Sequence, residues 1–380
     1  MDVSSSRDPV KLTEELISYD TVSHLPNEGF CARLEELLEP LGAAIQRCGS
    51  PDPKRPGQVN LLARFGPDRD GGMALAGHTD TVPYAAEMRS TVVPERDGRR
   101  LYGRGACDMK GGIAAMLNAC QRFDMSRLRK PLWLAFTFQE EIGCHGVKLL
   151  ERVAPLRVEH CIIGEPTGLR PAVQHKGYAA GVFRLRGSPA HSSDPRQGAS
   201  AIHGAARVID ALYGLAEEWQ GRGDPACGLE PPWTTLNIGK VEGGSARNVV
   251  AEHASFVLEV RPLPGQDAAA LFAEVERRAV AALPELRGVV VKFEPHETDE
   301  ALATSEGAPL VQWLVERTAS QTISVPFYTE GPTFSRMGAV ACICGPGEIA
   351  QAHREDEWVE MDALEAASDL YADAIEAFCT

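Results

Sequence analysis

Short apolar runs alternate with helically spaced apolar positions through the first half of the chain. Leu12, Leu16 and Ile17, then Leu34, Leu37, Leu38 and Leu41, recur at helix-face intervals and predict helices over 9–19 and 26–41. Strands are predicted at Val59–Phe65, Met73–Ala76, Leu132–Phe138 and His160–Ile163, with a Gly- and Ala-rich helix over Gly111–Arg122 and another helix after Gly143. Strands alternating with helices make an α/β sheet with helices on its faces. Such sheets gather ligands beyond the carboxyl ends of their strands.

The texture changes near Tyr178. A strand over 178–186, a helix over about Ala199–Glu217, strands at Thr235–Val241 and Ala254–Arg261, a helix at Ala268–Leu283 and a strand at Val289–Phe293 follow in turn. The stretch Gly221–Pro232 is rich in Gly and Pro and reads as a loop. This β-α-β-β-α-β order predicts an α+β unit, an antiparallel sheet covered by two helices. A helix around Pro309–Thr318 and a strand at Val340–Cys344 then resume the first pattern. The expected organisation is a mixed-sheet α/β domain over 1–177 and 297–380, interrupted by an inserted satellite over 178–296. A length of 380 residues suits two domains.

Composition adds exclusions. At 44% hydrophobic and 24% charged residues, the chain has the make-up of a soluble globular protein. Thirty-eight Lys and Arg against 53 Asp and Glu give a formal charge of −15, which argues against nucleic acid or an anionic membrane as partner. The N-terminal MDVSSSRDPVKL has no apolar segment followed by a small-residue cleavage site, so no signal peptide is expected. No apolar run approaches the ~18 residues that span a bilayer. Of the 10 cysteines, Cys161, Cys342 and Cys344 lie in apolar strand-like runs, where a thiol behaves as a small buried hydrophobe. A reduced, cytoplasmic protein is the expectation.

The chemistry is concentrated where apolar runs end. Glu140 and Glu141 close the run LWLAFTFQEE. A carboxylate pressed against a buried strand must be paired or must bind a metal, since desolvating it alone is costly. His78 and Asp80 follow MALAG, Asp108 lies in the Gly-rich YGRGACDMKGG, Glu165 follows HCIIG, and His353 ends VACICGPGEIAQAH. Each has an ordinary reading by itself: a loop histidine, a helix N-cap for Asp108, or a solvated strand end. Jointly they supply the donors of a carboxylate-rich binuclear hydrolase site. Asp80, one residue beyond His78, is suited to accept the second ring N–H and fix the tautomer.

These segments resemble, in order, those of the M20 family of metallopeptidases and deacylases. The resemblance runs through AGHTDTVP, GRGACDMKGG, FQEEIGCHG, CIIGEPT, HKG at 175–177, AHSS, EVRPLPG and GPGEIAQAHREDE. GEPT with HKG, TEG at 329–331 and the GPG…QAH…DE ending are similar to the acetylornithine deacetylases within the family. The resemblance implies a metallopeptidase catalytic domain with an inserted lid and dimerisation domain. It implies two divalent ions, zinc by default, with cobalt or manganese suited to the same donors. In that scheme Asp108 bridges the ions, His78 and Glu165 complete one, and Glu141 and His353 complete the other. Glu140 is the general base and Asp80 supports His78.

The same resemblance implies a homodimer in which His191 crosses to the opposite active site to stabilise the oxyanion. It also implies that Asn248 and Arg261 meet the substrate carboxylate, an arginine fork being well suited to that group. Gly331 and Gly345–Pro346–Gly347 are expected to shape the acyl end of the pocket, with Thr329 and Glu330 beside a polar substrate side chain. On composition alone, His191 is equally a surface-loop histidine and Arg261 a surface charge. The implied reaction is hydrolysis of N2-acetyl-L-ornithine to L-ornithine and acetate. The alternatives are other M20 activities: acetylcitrulline deacetylase, succinyl-diaminopimelate desuccinylase, aminoacylase or dipeptidase. A non-catalytic metal-stabilised binding protein would be expected to lack Glu140 or a ligand, and all are present.

Overall fold

The structure is a computed structural model that describes residues 8–283 and 288–380; residues 1–7, part of the N-terminal segment read for a signal peptide, lie outside it. Two compact units are present. One runs to Val173 and takes up Thr304–Ile323 and Thr329–Thr380; the other comprises Gln174–Ala303 and Ser324–Tyr328.

The first unit is built on a mixed sheet. Its successive strands include Ala44–Gly49, Val59–Phe65, Leu132–Thr137, Met73–His78, His160–Pro166 and Val340–Gly345. The first two pairings are antiparallel. The four strands from Leu132–Thr137 to Val340–Gly345 run parallel to one another, so their carboxyl ends share one edge of the sheet. Parallel strands are buried on both faces and read as continuous apolar runs. Met73–His78 is buried at every position.

Helices Lys110–Arg122 and Met361–Cys379 pack on one another in the core of this unit. From Lys110 to Cys120 the first of them is buried all round, as expected of a helix inside a core. Gly112 lets it approach the sheet closely: a Cβ there would lie 2.5 Å from the carbonyl oxygen of Gly164. The Tyr371 hydroxyl donates to Cys344 O at 2.9 Å, joining the second helix to the Val340–Gly345 strand.

The second unit holds a four-stranded antiparallel sheet in the order Thr235–Gly243, His253–Arg261, Tyr178–Arg186, Val290–Asp299. Helices Ala201–Gly221 and Ala268–Ala281 cover it, and Phe183 stacks on Phe256 and packs against Phe293 in its core. The α+β order is as expected. The units divide at Val173 and Ala303, however, not at 177 and 296. A short ladder pairs His175 and Gln174 of the strand Ala172–His175 with Leu302 and Ala303, so the two segments stay together.

Several elements were not predicted from the periodicity: Ala44–Gly49, the three-stranded sheet of Trp358–Glu360, Arg100–Tyr102 and Glu95–Asp97, and the helix Met361–Cys379, whose apolar spacing is nonetheless helical. Ala44–Gly49 and Glu95–Asp97 are largely exposed, and every strand of the smaller sheet is only three residues long, too short to set a period. All ten cysteines are free thiols. Among the described residues no helix is long and apolar enough to cross a membrane.

Candidate metal centre and active site

The shared carboxyl edge of the parallel strands carries the candidate site. His78 is the last residue of its strand and Glu165 lies near the end of His160–Pro166. Glu140 and Glu141 follow Leu132–Thr137 by a short turn, and His353 follows Val340–Gly345 by a longer one. Asp108 precedes the helix Lys110–Arg122, but the capping reading fails: the N-cap is Met109, and no side chain caps this helix. The Asp108 carboxylate faces two imidazoles, with Oδ1 3.0 Å from His78 Nε2 and Oδ2 3.2 Å from His353 Nε2.

Two donor sets meet at His78. Single ligand atoms of His78, Asp108 and Glu141 lie within 4.8 Å of one another, as do those of His78, Glu140 and Glu165. His353 Nε2 lies 3.0 and 3.1 Å from the two oxygens of Glu141, which joins that histidine to the Asp108 and Glu141 group. His78 Nε2 lies 3.5 Å from Glu165 Oε1. All six residues are therefore drawn into one cluster.

Asp80 supports the site differently from the expectation. The His78 Nδ1 hydrogen bond goes to the Asp80 backbone carbonyl at 2.9 Å, while the carboxylate oxygen Oδ1 stands 3.5 Å away. The carboxylate instead accepts the backbone N–H groups of Glu140 at 2.9 Å and Glu141 at 3.3 Å, and the Ser23 hydroxyl at 2.7 Å. Main chain and side chain of one residue thus orient the histidine and the two glutamates together. The two glutamates are further constrained by Gln139, whose φ of 53° lies in the left-handed region that non-glycine residues avoid. Cys144, with φ 52°, and His353, with φ 62°, share that region at the site. Strained backbone of this kind collects at functional sites.

Charge suits the cluster to divalent ions. Among the described residues no Lys or Arg forms an ion pair with Asp108, Glu140, Glu141 or Glu165; their cationic neighbours are His78 and His353 alone. Burial pushes the Glu140 and Glu165 carboxyls well above their usual range, with Glu141 adding to the effect on Glu140 and Asp108 to that on Glu165. Burial and Asp108 push Glu141 up to about 7. Hydrogen bonds to Asp108 and Glu141 raise His353 to about 10. Burial opposes ionisation of Asp108, but hydrogen bonds from His353 and His78 more than offset it and hold its carboxyl low. Oxygen and imidazole donors in this proportion fit two divalent ions, which would invert the proton affinities of the carboxylates.

Glu330, expected beside a substrate side chain, is 1% exposed, and its Oε1 accepts the Thr137 hydroxyl at 2.6 Å at the end of the Leu132–Thr137 strand. Its Oε2 is buried without a hydrogen-bond partner, and burial pushes its carboxyl up to about 7. Gly331 opens the short buried helix Gly331–Arg336, not a loop, with its N–H donated to Thr329 Oγ1 at 3.1 Å. The Cys144 thiol lies 3.5 Å from Glu140 Oε1, a contact sequence reasoning missed.

Thr329 and Gly345–Pro346–Gly347 also lie in the first unit, whereas His191, Asn248 and Arg261 belong to the second. His191 is exposed, with Nδ1 2.7 Å from Ser193 Oγ. A β-bridge from His191 to Val249 brings its loop to the turn that holds Asn248. Arg261 ends its strand, paired with Glu259 at 2.8 Å and lying over the Tyr178 ring at 4.8 Å.

Residues 74–377 match the Peptidase family M20/M25/M40. The chain is 36% identical over 376 residues to an acetylornithine deacetylase of Myxococcus xanthus, covering 96% of each, and 34% identical over 375 residues to one of Proteus mirabilis, covering 97% of this chain and 94% of that protein. Among solved structures it is similar to a tripeptidase of Staphylococcus aureus (TM-score 0.78, 23% identity, 98% of each chain). It is also similar to an M20 family metallo-carboxypeptidase of Sulfolobus solfataricus (TM-score 0.76, 19% identity, 99% of each chain). An α/β hydrolytic unit with a carboxylate-rich ligand cluster is the class that fold and site define. The chain belongs to peptidase family M20 and is a hydrolase of that family.

Proton linkage follows from the site. In the ion-free protein His353 holds a proton up to about pH 10 and Glu141 up to about pH 7. A divalent ion must displace those protons to reach the donors. Zinc binding at pH 7 is therefore expected to release protons, and the affinity to rise as pH climbs through about 7 and on toward about 10. Calorimetry in buffers of different ionisation enthalpy checks this; an enthalpy independent of buffer would contradict it.

Proposed function

We propose that this chain is a two-metal amidohydrolase that removes the acetyl group from N2-acetyl-L-ornithine, releasing L-ornithine and acetate. Similarity to acetylornithine deacetylases across nearly the whole chain carries the substrate reading. Its mechanism rests on the unequal surroundings of Glu140 and Glu141. Both oxygens of Glu141 engage His353, which suits it to ligation beside Asp108. Among the described residues Glu140 forms no imidazole ion pair of that kind, and the Cys144 thiol lies 3.5 Å from its Oε1, which suits its carboxylate to proton transfer.

Asp108 would be shared between two ions, with His78 and Glu165 completing one and Glu141 and His353 the other. Such ions, when bound, supply Lewis acidity toward a carbonyl and lower the pKa of water. Glu140 takes the proton of the attacking water at a carboxylate oxygen and delivers it to the departing amide nitrogen, acting as base and then as acid. Asp80 keeps it in place through the Glu140 N–H. His191 is proposed to donate to the oxyanion across a homodimer built through the second unit, while Asn248 and Arg261 receive the substrate carboxylate.

Replacing Glu140 with Gln is expected to leave zinc content unchanged and to lower kcat by at least ~10²-fold, the scale of general acid–base catalysis. Near-normal turnover in the zinc-loaded variant would remove Glu140 from this role. Mixing Glu140→Ala with His191→Ala chains tests the dimer. In a mixed dimer one site holds both natural residues, so activity should recover above either parent; no recovery after proven subunit exchange would refute action across the dimer. The substrate is tested by kcat/KM for acetylornithine, acetylcitrulline, acetylmethionine, acetylglutamate and succinyl-diaminopimelate. Acetylornithine should rank first, and a roughly tenfold advantage (about 1.4 kcal/mol) for acetylcitrulline or succinyl-diaminopimelate would replace the ornithine assignment with another M20 activity.

A further inference from the structure

Two ligands of the cluster sit on irregular backbone. Asp108 lies in the turn before its helix, and His353 lies in a loop with a positive φ and a side chain 52% exposed. Neither is held by a strand, unlike His78 and Glu165, yet their facing atoms are 3.2 Å apart. Behind them lies an ion pair that no catalytic role uses: Arg104 Nη1 donates to Glu357 Oε2 at 2.6 Å, with side chains 2% and 1% exposed.

The pair is reciprocal. Arg104 precedes Asp108 by four residues, and Glu357 follows His353 by four. Each grips the backbone of the other's loop. Glu357 Oε1 accepts the N–H groups of Cys107 at 2.9 Å and Asp108 at 3.0 Å. Arg104 Nη2 donates to the carbonyl of Arg354, beside His353, at 3.1 Å. The Ser90 hydroxyl donates to the same carbonyl at 3.0 Å, and Gly103 N–H donates to Glu357 O at 3.2 Å.

We propose that the Arg104–Glu357 pair is a positioning clasp that sets the Asp108–His353 spacing and so the affinity of the ion those two residues share with Glu141. A buried ion pair contributes little net stability, because desolvation of both charges opposes their attraction. Its three carboxylate hydrogen bonds and forked guanidinium instead fix geometry. Groups behind a ligand commonly set its orientation, and changing them costs ~10–100-fold in metal affinity. The inference rests on the two-metal reading of the site.

The test is zinc binding to the full-length, metal-stripped protein by chelator competition, with the visible spectrum of the cobalt-loaded protein as a second readout. Arg104→Lys keeps the charge toward Glu357 but lacks the fork that reaches Arg354 O. It should weaken the ion held by Glu141 and His353 at least ~10-fold, alter the cobalt spectrum and leave the ion held by His78 and Glu165 at wild-type affinity. Glu357→Gln keeps an acceptor but loses the charged grip on Asp108, the shared ligand, and should weaken both ions. Wild-type affinities and spectra in both folded variants would overturn the clasp. Failure of both to fold would overturn it too, assigning the pair to the fold. A wild-type protein that binds fewer than two zinc ions defeats the two-metal reading itself, and one that binds two but spares acetylornithine defeats only the substrate assignment.

Discussion

Carboxylates gathered with too few cations are the constraint on which the first unit turns. Four parallel strands end at one edge, and that alignment delivers acids from separate parts of the chain to one place. Leaving several of them ionised away from water is unfavourable unless cations answer them. His78 and His353 answer part of the charge. The helices Lys110–Arg122 and His145–Val153 begin just after Asp108 and Glu141, where the positive ends of helix dipoles favour acidic groups. Neither device matches the full negative charge, which leaves the donors suited to divalent ions.

Around that constraint the chain uses buried polar groups as spacers. Asp80 shows the economy of the arrangement, since its carbonyl orients His78 while its carboxylate holds the Glu140 and Glu141 amides. Asn27 and Gln58 extend the same layer: Asn27 Nδ2 donates to Thr79 Oγ1 at 2.8 Å, and Gln58 Nε2 donates to Ser23 O at 3.2 Å. These contacts link the Met73–His78 strand end to segments far away in sequence. Small shifts at a ligand would have to break several hydrogen bonds at once, which is how a fold preorganises a reacting centre.

The ligand cluster was legible because each member breaks a local rule: an acid or imidazole stands where an apolar run would otherwise continue or close on a neutral turn. The parallel arrangement was legible from strands alternating with helices. Arg104 and Glu357 were not. A lone arginine among glycines and a glutamate in HREDE have the local signature of solvated charge, and their burial exists only because two loops 253 residues apart meet. The inward turn of the Glu330 carboxyl to Thr137 was not legible for a related reason, since TEG gives no sign of it. For Met361–Cys379 the signal was present, in Leu364, Leu370, Tyr371, Ala374 and Ile375 at helical spacing. The ladder of Gln174 and His175 with Leu302 and Ala303 pairs only two residues on each side and carries no periodicity of its own.

The arrangement also fixes how the ion-free protein must respond to pH. Burial raises Glu141 and Glu330 from ordinary carboxyl values to about 7 in the fold. Raised acids favour the fold while both states hold their protons, below the unfolded value near 4.5. As pH climbs from there through about 7, the unfolded chain ionises first and that contribution is lost. His353 has the same sign, its contribution being lost as pH rises through about 10. Ions that bind only the folded donors act in the opposite direction, and more strongly as the competing protons leave. The charge excess that weakens the empty fold toward alkaline pH is therefore the same excess that draws divalent ions to it.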